Sequence, residues 1–198
     1  MREDTSNLSE VAIRERVLAG AQRCFDRFGV DKTTMNDIAK AAEVSRATMY
    51  RHFDGGRDEI VLAVLLRDFE QLVPRMEQIL DQPRPLADRL ADLFMDTLTF
   101  VREESHPALM GYVEQRAGVS QLDPIPHAVF TTLVAMAAPE FDKAGTAGIL
   151  RENVTVDDTV ELFTRMLFSM LLMPGHTKRT AAEEHAFIRT YVVSAIFR

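Results

Sequence analysis

Along almost the whole of this chain the apolar residues recur at steps of three and four, and no stretch alternates in twos for the length of a strand. That spacing gathers them on one face of a 3.6-residue helix and predicts an all-α fold. Val17, Leu18, Ala21, Cys24, Phe25 and Phe28 make the stripe of a first helix that stops at Gly29. Thr34 followed by Asp37 reads as an N-cap with its reciprocal acid, opening a second helix whose inner face is Met35, Ile38, Ala39 and Ala42. Ser45 caps a short third helix ending near Phe53. "DGGRDEI" then turns into a long fourth helix, with Asp58 and Glu59 at its positive end and Pro74 as an expected kink.

Past the break at "DQPRP", Leu86 to Val101 predict a fifth helix. Further helices are expected over 107–115 and from His127, the latter bent at Pro139. Thr155 with Asp158 and Thr180 with Glu183 open the last two, over 156–173 and 181–197.

Composition narrows what such a chain does. Its 198 residues, 46% hydrophobic and 27% charged, suffice for a real core. No apolar run reaches the roughly 18 residues of a membrane span, and the charged start has no signal core, so a cytoplasmic location is expected. A single cysteine, Cys24, excludes an internal disulfide framework. The formal charge of −7 is uneven: from Arg14 to Arg57 the balance is +3, and from Val61 onward it is −6. Local potential decides whether a phosphate backbone is attracted, so the acidic total does not exclude nucleic acid.

The stretch "TTMNDIAKAAEVSRATMYRHF" concentrates the function. Two helices joined by a tight turn, the second short and polar outward, suggest a helix-turn-helix. On a wheel, Met49 and Phe53 point one way, and Ala47, Tyr50 and Arg51 the other, flanked by Arg46 and Thr48. Small Ala47 lets the backbone approach a grooved partner. Arg46 suits guanine O6/N7, Thr48 a phosphate or thymine methyl, and Tyr50, Arg51 and His52 suit phosphates. The start of the fourth helix beside Arg57 offers a further phosphate seat.

From Phe25 to Phe53 the run "F-x-x-x-G-x-x-x-T-T-x-x-x-I-A-x-x-A-x-V-S-x-x-T-x-Y-x-H-F" resembles the N-terminal signature of the TetR (tetracycline-repressor-like) family. The likeness spans Val17 to Ile60. Glu43 and Ala47 stand where the family commonly has glycine, so Glu43 must accept the turn without glycine's freedom. The resemblance implies a DNA-binding domain over 1–56 and a helical ligand-binding and dimerisation domain over 57–198. It implies DNA contacts at Thr33, Thr34, Ser45, Arg46, Ala47, Thr48, Tyr50, Arg51, His52 and Arg57.

The implied partners are a near-palindromic DNA operator, a second copy and a small hydrophobic or aromatic effector. For the effector, the large adaptable side chains of Phe94, Met95, Thr97, Met110, Phe130, Met136, Phe163, Met166 and Met170 are candidates, with Tyr112, Glu114 or Arg116 for a hydrogen bond. The second copy is expected on the last two helices, since Leu162 to Met173 is apolar nearly all round. Five histidines occur without a metal-ligand spacing, and no nucleophile elbow or phosphate-binding glycine loop appears, so neither metal, cofactor nor enzymatic activity is expected. Two other readings stay open: a DNA-binding regulator without a small-molecule effector, and an all-helical small-molecule binding or enzyme module.

Overall fold

A computed structural model describes residues 2–103, 125–173 and 175–198. The expected helix over 107–115 and the candidates Met110, Tyr112, Glu114 and Arg116 lie outside the described residues. The described elements are α1 (Arg2–Phe28), α2 (Met35–Ala42), α3 (Arg46–His52), α4 (Gly56–Leu80), α5 (Leu86–Glu103), α6 (His127–Thr146), α7 (Val156–Leu172) and α8 (Ala181–Tyr191), with a 3-10 turn at Val193–Ala195. Pairing outside the helices is limited, among these residues, to one isolated antiparallel bridge, Leu150 with Phe197. None of the described helices is long and apolar enough to cross a membrane.

The chain divides into two compact units, one running to Glu70 and one beginning at Gln71. The first therefore extends past position 56 to include the start of α4. Its core is Val17, Ala21, Phe25, Ile38, Met49 and Phe53. α2 lies close against α1 because Gly20 has no side chain: a Cβ there would meet the Ala42 nitrogen at 2.9 Å. Phe28, expected on the buried stripe, is instead exposed at the end of α1, where the Arg27 guanidinium lies 5.1 Å from its ring centroid. The last turn of a helix has run past the neighbours that cover the rest of its face.

In the second unit α5 packs against α7 and α8, and α6 against α7, around Leu90, Phe94, Leu98, Phe141 and Ile188. Arg189 Nε donates to Asp88 Oδ1 at 2.9 Å, and His185 Nε2 lies 2.8 Å from Asp92 Oδ1. One helix advances four residues as the other retreats four, so α5 and α8 run antiparallel. The expected final helix to Phe197 stops earlier, at Tyr191. The chain then tightens into the 3-10 turn and sends Phe197 back to Leu150, where the Arg151 nitrogen donates to Ile196 O at 2.9 Å. The bridge replaces the helical bonds that a longer α8 would have made. α4 and α6 continue through Pro74 and Pro139.

Candidate nucleic-acid interface and internal cavity

The first unit is built to hold α3 still. Seven residues are too few for a helix to be stable alone, so its order comes from caps and packing. At its start the Thr48 nitrogen donates to Ser45 Oγ at 3.0 Å, and at its end the Phe53 nitrogen donates to Met49 O at 2.9 Å. Met49 and Phe53 are both 0% exposed. α2 carries the complete capping box: the Asp37 nitrogen donates to Thr34 Oγ1, and the Thr34 nitrogen donates to Asp37 Oδ2 at 3.1 Å. The Thr34 hydroxyl also donates to Asp37 Oδ2 at 2.5 Å, and this bond first, with the Thr34 N–H next, holds the Asp37 carboxyl below the usual carboxylate range. The turn passes through Glu43, whose φ of 55° is left-handed. The expected absence of glycine at a strained position is thus real.

Four arginines brace this frame from outside, and each does so on backbone carbonyls. Arg16 Nη2 donates at 2.9 Å to both Ala42 O and Glu43 O, and Arg23 Nη2 donates to Ala41 O at 2.5 Å. Together they take up carbonyls that the end of α2 leaves without helical partners. Arg14 Nη1 donates to His52 O at 2.6 Å, with its guanidinium 4.3 Å from the Phe53 ring centroid. Arg57 Nη1 donates to Asp31 O at 3.2 Å and reaches Val30 O at 3.4 Å. Sequence spacing gave no sign of these bonds, which join residues 18 to 38 apart.

This geometry sorts the expected DNA contacts. Arg46, Ala47, Tyr50 and Arg51 are exposed together on α3, with Thr48 half-buried beside them. Thr34 and Ser45 are exposed, their hydroxyls engaged in the caps. Thr33 departs from expectation: it is 1% exposed and its hydroxyl donates to Gly29 O at 2.7 Å, which makes it a brace of the α1–α2 turn. His52 is half-buried with its Nε2 enclosed and unpartnered, so that nitrogen does not face a phosphate. Arg57 is committed to the carbonyls just described, and Glu59 Oε2 already takes the Gly55 N–H at 3.0 Å at the start of α4.

In the second unit a cavity of about 90 Å³ opens between four helices. α4 contributes Met76 and Leu80; α5 contributes Leu90, Leu93, Phe94 and Thr97. The far wall is Leu133, Met136, Ala137 and Phe141 of α6, with Thr159, Val160, Phe163, Thr164 and Leu167 of α7. Phe94 and Phe163 meet edge to face, centroids 5.5 Å apart. Of the expected ligand residues, Phe94, Thr97 and Phe163 line the space, as does Met136. Met95, Met166 and Met170 pack into the core away from it, and half-buried Phe130 is also outside the lining. Their helical phase, set by the packing of α5 against α7 and α8, turns them to other neighbours. Among the described residues no group of three or more His, Cys, Asp or Glu could hold a metal ion.

Residues 17–64 match the family model for bacterial regulatory proteins of the tetR family. Over 191 residues the chain is 32% identical to Rv1255c, an uncharacterized HTH-type transcriptional regulator of Mycobacterium tuberculosis, covering 92% of this chain and 84% of that one. It is 31% identical over 110 residues to the HTH-type transcriptional repressor KstR2 of Mycolicibacterium smegmatis, covering 55% of this chain and 52% of that protein. Among solved structures, a TetR-family transcriptional regulator from Pectobacterium atrosepticum shares the fold with a TM-score of 0.70 at 17% identity, covering 96% of this chain and 97% of that one. SmeT, the repressor of the Stenotrophomonas maltophilia multidrug efflux pump SmeDEF, gives a TM-score of 0.65 at 18% identity, covering 93% and 90%.

Proposed function

The chain belongs to the TetR family of bacterial transcriptional regulators, and from that premise we propose that it is a dimeric repressor released from its operator by a small hydrophobic or aromatic molecule. The observation that carries the reading is α3 itself. A seven-residue helix is anchored by Met49 and Phe53 at 0% exposure, while Arg46, Ala47, Tyr50 and Arg51 face solvent side by side. Arg46 near the N-terminal end of such a helix reads base edges in a major groove, Ala47 permits close approach, and Tyr50 and Arg51 hold phosphates.

The second copy sits on α7 and α8. Leu162, Leu172 and Met173 are exposed on the first of these and at its end, and Tyr191 is 71% exposed on the second. Apolar side chains of that size left in water on consecutive elements support a self-complementary interface. Twofold symmetry would then set two α3 helices about 34–36 Å apart, or a multiple of that spacing, on a near-palindrome. The effector occupies the cavity of the second unit. Met76 and Leu80 bring the end of α4 into its wall, and α4 begins in the unit that carries α3. Occupancy would favour one position of α4 over another and so shift the population away from the DNA-binding state.

Anisotropy titrations on a near-palindromic duplex from the DNA beside the gene test the reading. Arg46→Ala should cost about 1–3 kcal/mol and relax the choice of sequence, whereas Arg51→Ala should weaken all sequences alike and reduce the salt slope by about one. An affinity that does not fall with salt would end the DNA-binding reading.

A further inference from the structure

The wall of the cavity has three residues of polar type, Thr97, Thr159 and Thr164, and all three hydroxyl hydrogens are already engaged. Thr97 Oγ1 donates to Leu93 O, Thr159 Oγ1 to Thr155 O and Thr164 Oγ1 to Val160 O, each at 2.8 Å. Every one is a bond to the helix's own carbonyl four residues back, which turns the hydroxyl hydrogen along the helix and away from a guest. The backbone offers nothing in exchange. The lining residues lie inside helices, where N–H groups are paired, and even near the start of α7 the Thr159 nitrogen donates to Thr155 O at 3.2 Å. The remaining lining side chains are aliphatic, aromatic or thioether. Among the described residues, then, the cavity presents no free hydrogen-bond donor.

We propose that the molecule accepted here is a hydrocarbon fragment about the size of one six-carbon ring, and that the site selects against ligands bearing a carbonyl or carboxylate at that fragment. This rests on the reading that an effector enters the second unit, and it deepens that reading by naming the chemistry. A carbonyl oxygen buried here leaves its water partners and finds no replacement; a carboxylate loses far more. Size points the same way. A dry cavity of about 150 Å³ lined by Leu, Ile and Phe holds benzene, so the space of about 90 Å³ admits a ring once its walls give a little. Met76 and Met136, unbranched and on different helices, are the side chains able to yield.

The test uses the full-length protein with three probes of one shape, toluene, benzaldehyde and benzoate. Binding is followed through the methyl resonances of Met76 and Met136, with operator affinity measured alongside. Toluene should shift both methyls and weaken operator binding. Benzaldehyde should bind about tenfold more weakly and benzoate at least about a hundredfold, the range set by an unpaired buried acceptor. Ala137→Leu fills the space and should abolish the toluene-dependent shift of both methyl resonances.

Equal or tighter binding of benzaldehyde or benzoate would overturn the donor-free cavity and leave the effector reading standing. A toluene response that survives Ala137→Leu would place the ligand elsewhere and overturn the inference likewise. If no probe binds while the operator is still bound, the inference and the effector reading both fall, and DNA binding by α3 stands.

Discussion

Both units set arginines on backbone carbonyls, the second through Arg89 on Leu80 O, Arg102 on Met170 O and Arg151 on Phe197 O. They differ in what the guanidinium meets besides the backbone. In the first, Arg14, Arg16, Arg23 and Arg57 donate to backbone carbonyls at helix ends and turns, and the two nearby acids, Glu59 and Asp58, stand off at 3.8 and 3.9 Å. In the second, guanidinium meets carboxylate: Arg75 with Asp96 at 2.7 Å, Arg89 with Glu140 at 2.6 Å, Arg102 with Glu184 at 2.7 Å and Arg189 with Asp88 at 2.9 Å, with Arg84 on Asp92 as well. A carbonyl uses the hydrogen-bonding capacity of a guanidinium without cancelling its charge; a carboxylate uses both. The stretch from Arg14 to Arg57 therefore braces itself without cancelling its positive excess, while the second unit locks its helices with neutral pairs. Four of the nine cations between Arg14 and Arg57 are thus engaged in bracing the fold.

The largest way to separate the units is through the core beneath α3. Phe53→Ala removes a fully buried ring and should cost about 3–5 kcal/mol. Operator binding should disappear, and amide protection should be lost across α2 and α3 and kept in α5 and α8. Equal loss in both units would show that they do not melt separately and would undo the contrast.

Next comes the approach of α1 to α2. Gly20→Ala places a methyl 2.9 Å from the Ala42 nitrogen, a backbone atom that cannot swing away. Overpacking of this kind costs about 1–3 kcal/mol. Because the displaced residue belongs to the end of α2 that Arg16 grips, DNA affinity should fall with stability, whichever sequence is offered.

Arg16→Gln and Arg189→Gln compare the two uses of arginine directly. Arg16→Gln should lower stability by about 0.5–1.5 kcal/mol through its lost carbonyl bonds. It should also weaken operator binding evenly across sequences, with the salt slope unchanged because Arg16 touches no phosphate. Arg189→Gln removes one member of a half-exposed ion pair, worth at most about 1 kcal/mol, and should leave DNA affinity where it was. A flattened salt slope in Arg16→Gln would mean that the carbonyl brace is released on DNA.

How much of this was legible beforehand follows from distance along the chain. The caps at Thr34, Ser45, Thr155 and Thr180 were readable because a cap closes within three residues, and all four accept the expected N–H. The polar face of α3 was readable because a wheel needs only helical phase. The arginine braces were not, since a carbonyl leaves no trace in sequence and every residue offers one. For the same reason the burial of Thr33 and the seat of Arg57 on the Val30 and Asp31 carbonyls could not be read in advance. The cavity was legible only as a class of residue: which of Phe94, Met95, Met136 and Met166 faces it depends on how four helices pack, and periodicity does not fix that. Glu43 lay between these cases. Its departure from glycine was visible, and its φ of 55° makes Glu43→Gly a stabilising change of about 0.5–1 kcal/mol, read as a higher melting midpoint.

The smallest effect is the one in which the units should not differ. Thr34 with Asp37 and Thr180 with Glu183 make the same capping box, one in each unit. Asp37 is held low chiefly by the Thr34 hydroxyl, and Glu183 chiefly by the Thr180 N–H and then its hydroxyl. A carboxyl whose folded pKa lies below its unfolded one contributes stability that is whole above the unfolded value and drains as pH falls through the folded value. Both helix starts should therefore be insensitive from neutral pH down to the usual carboxylate range, and begin to fray below it. Amide exchange at the first turns of α2 and α8 would follow the two in one titration. Asp37→Asn should flatten the response of α2 alone, and Glu183→Gln that of α8 alone. If α2 frayed with acid and α8 did not, the boxes would not be equivalent, and the contrast between the units would reach even the shortest-range bonds in the chain.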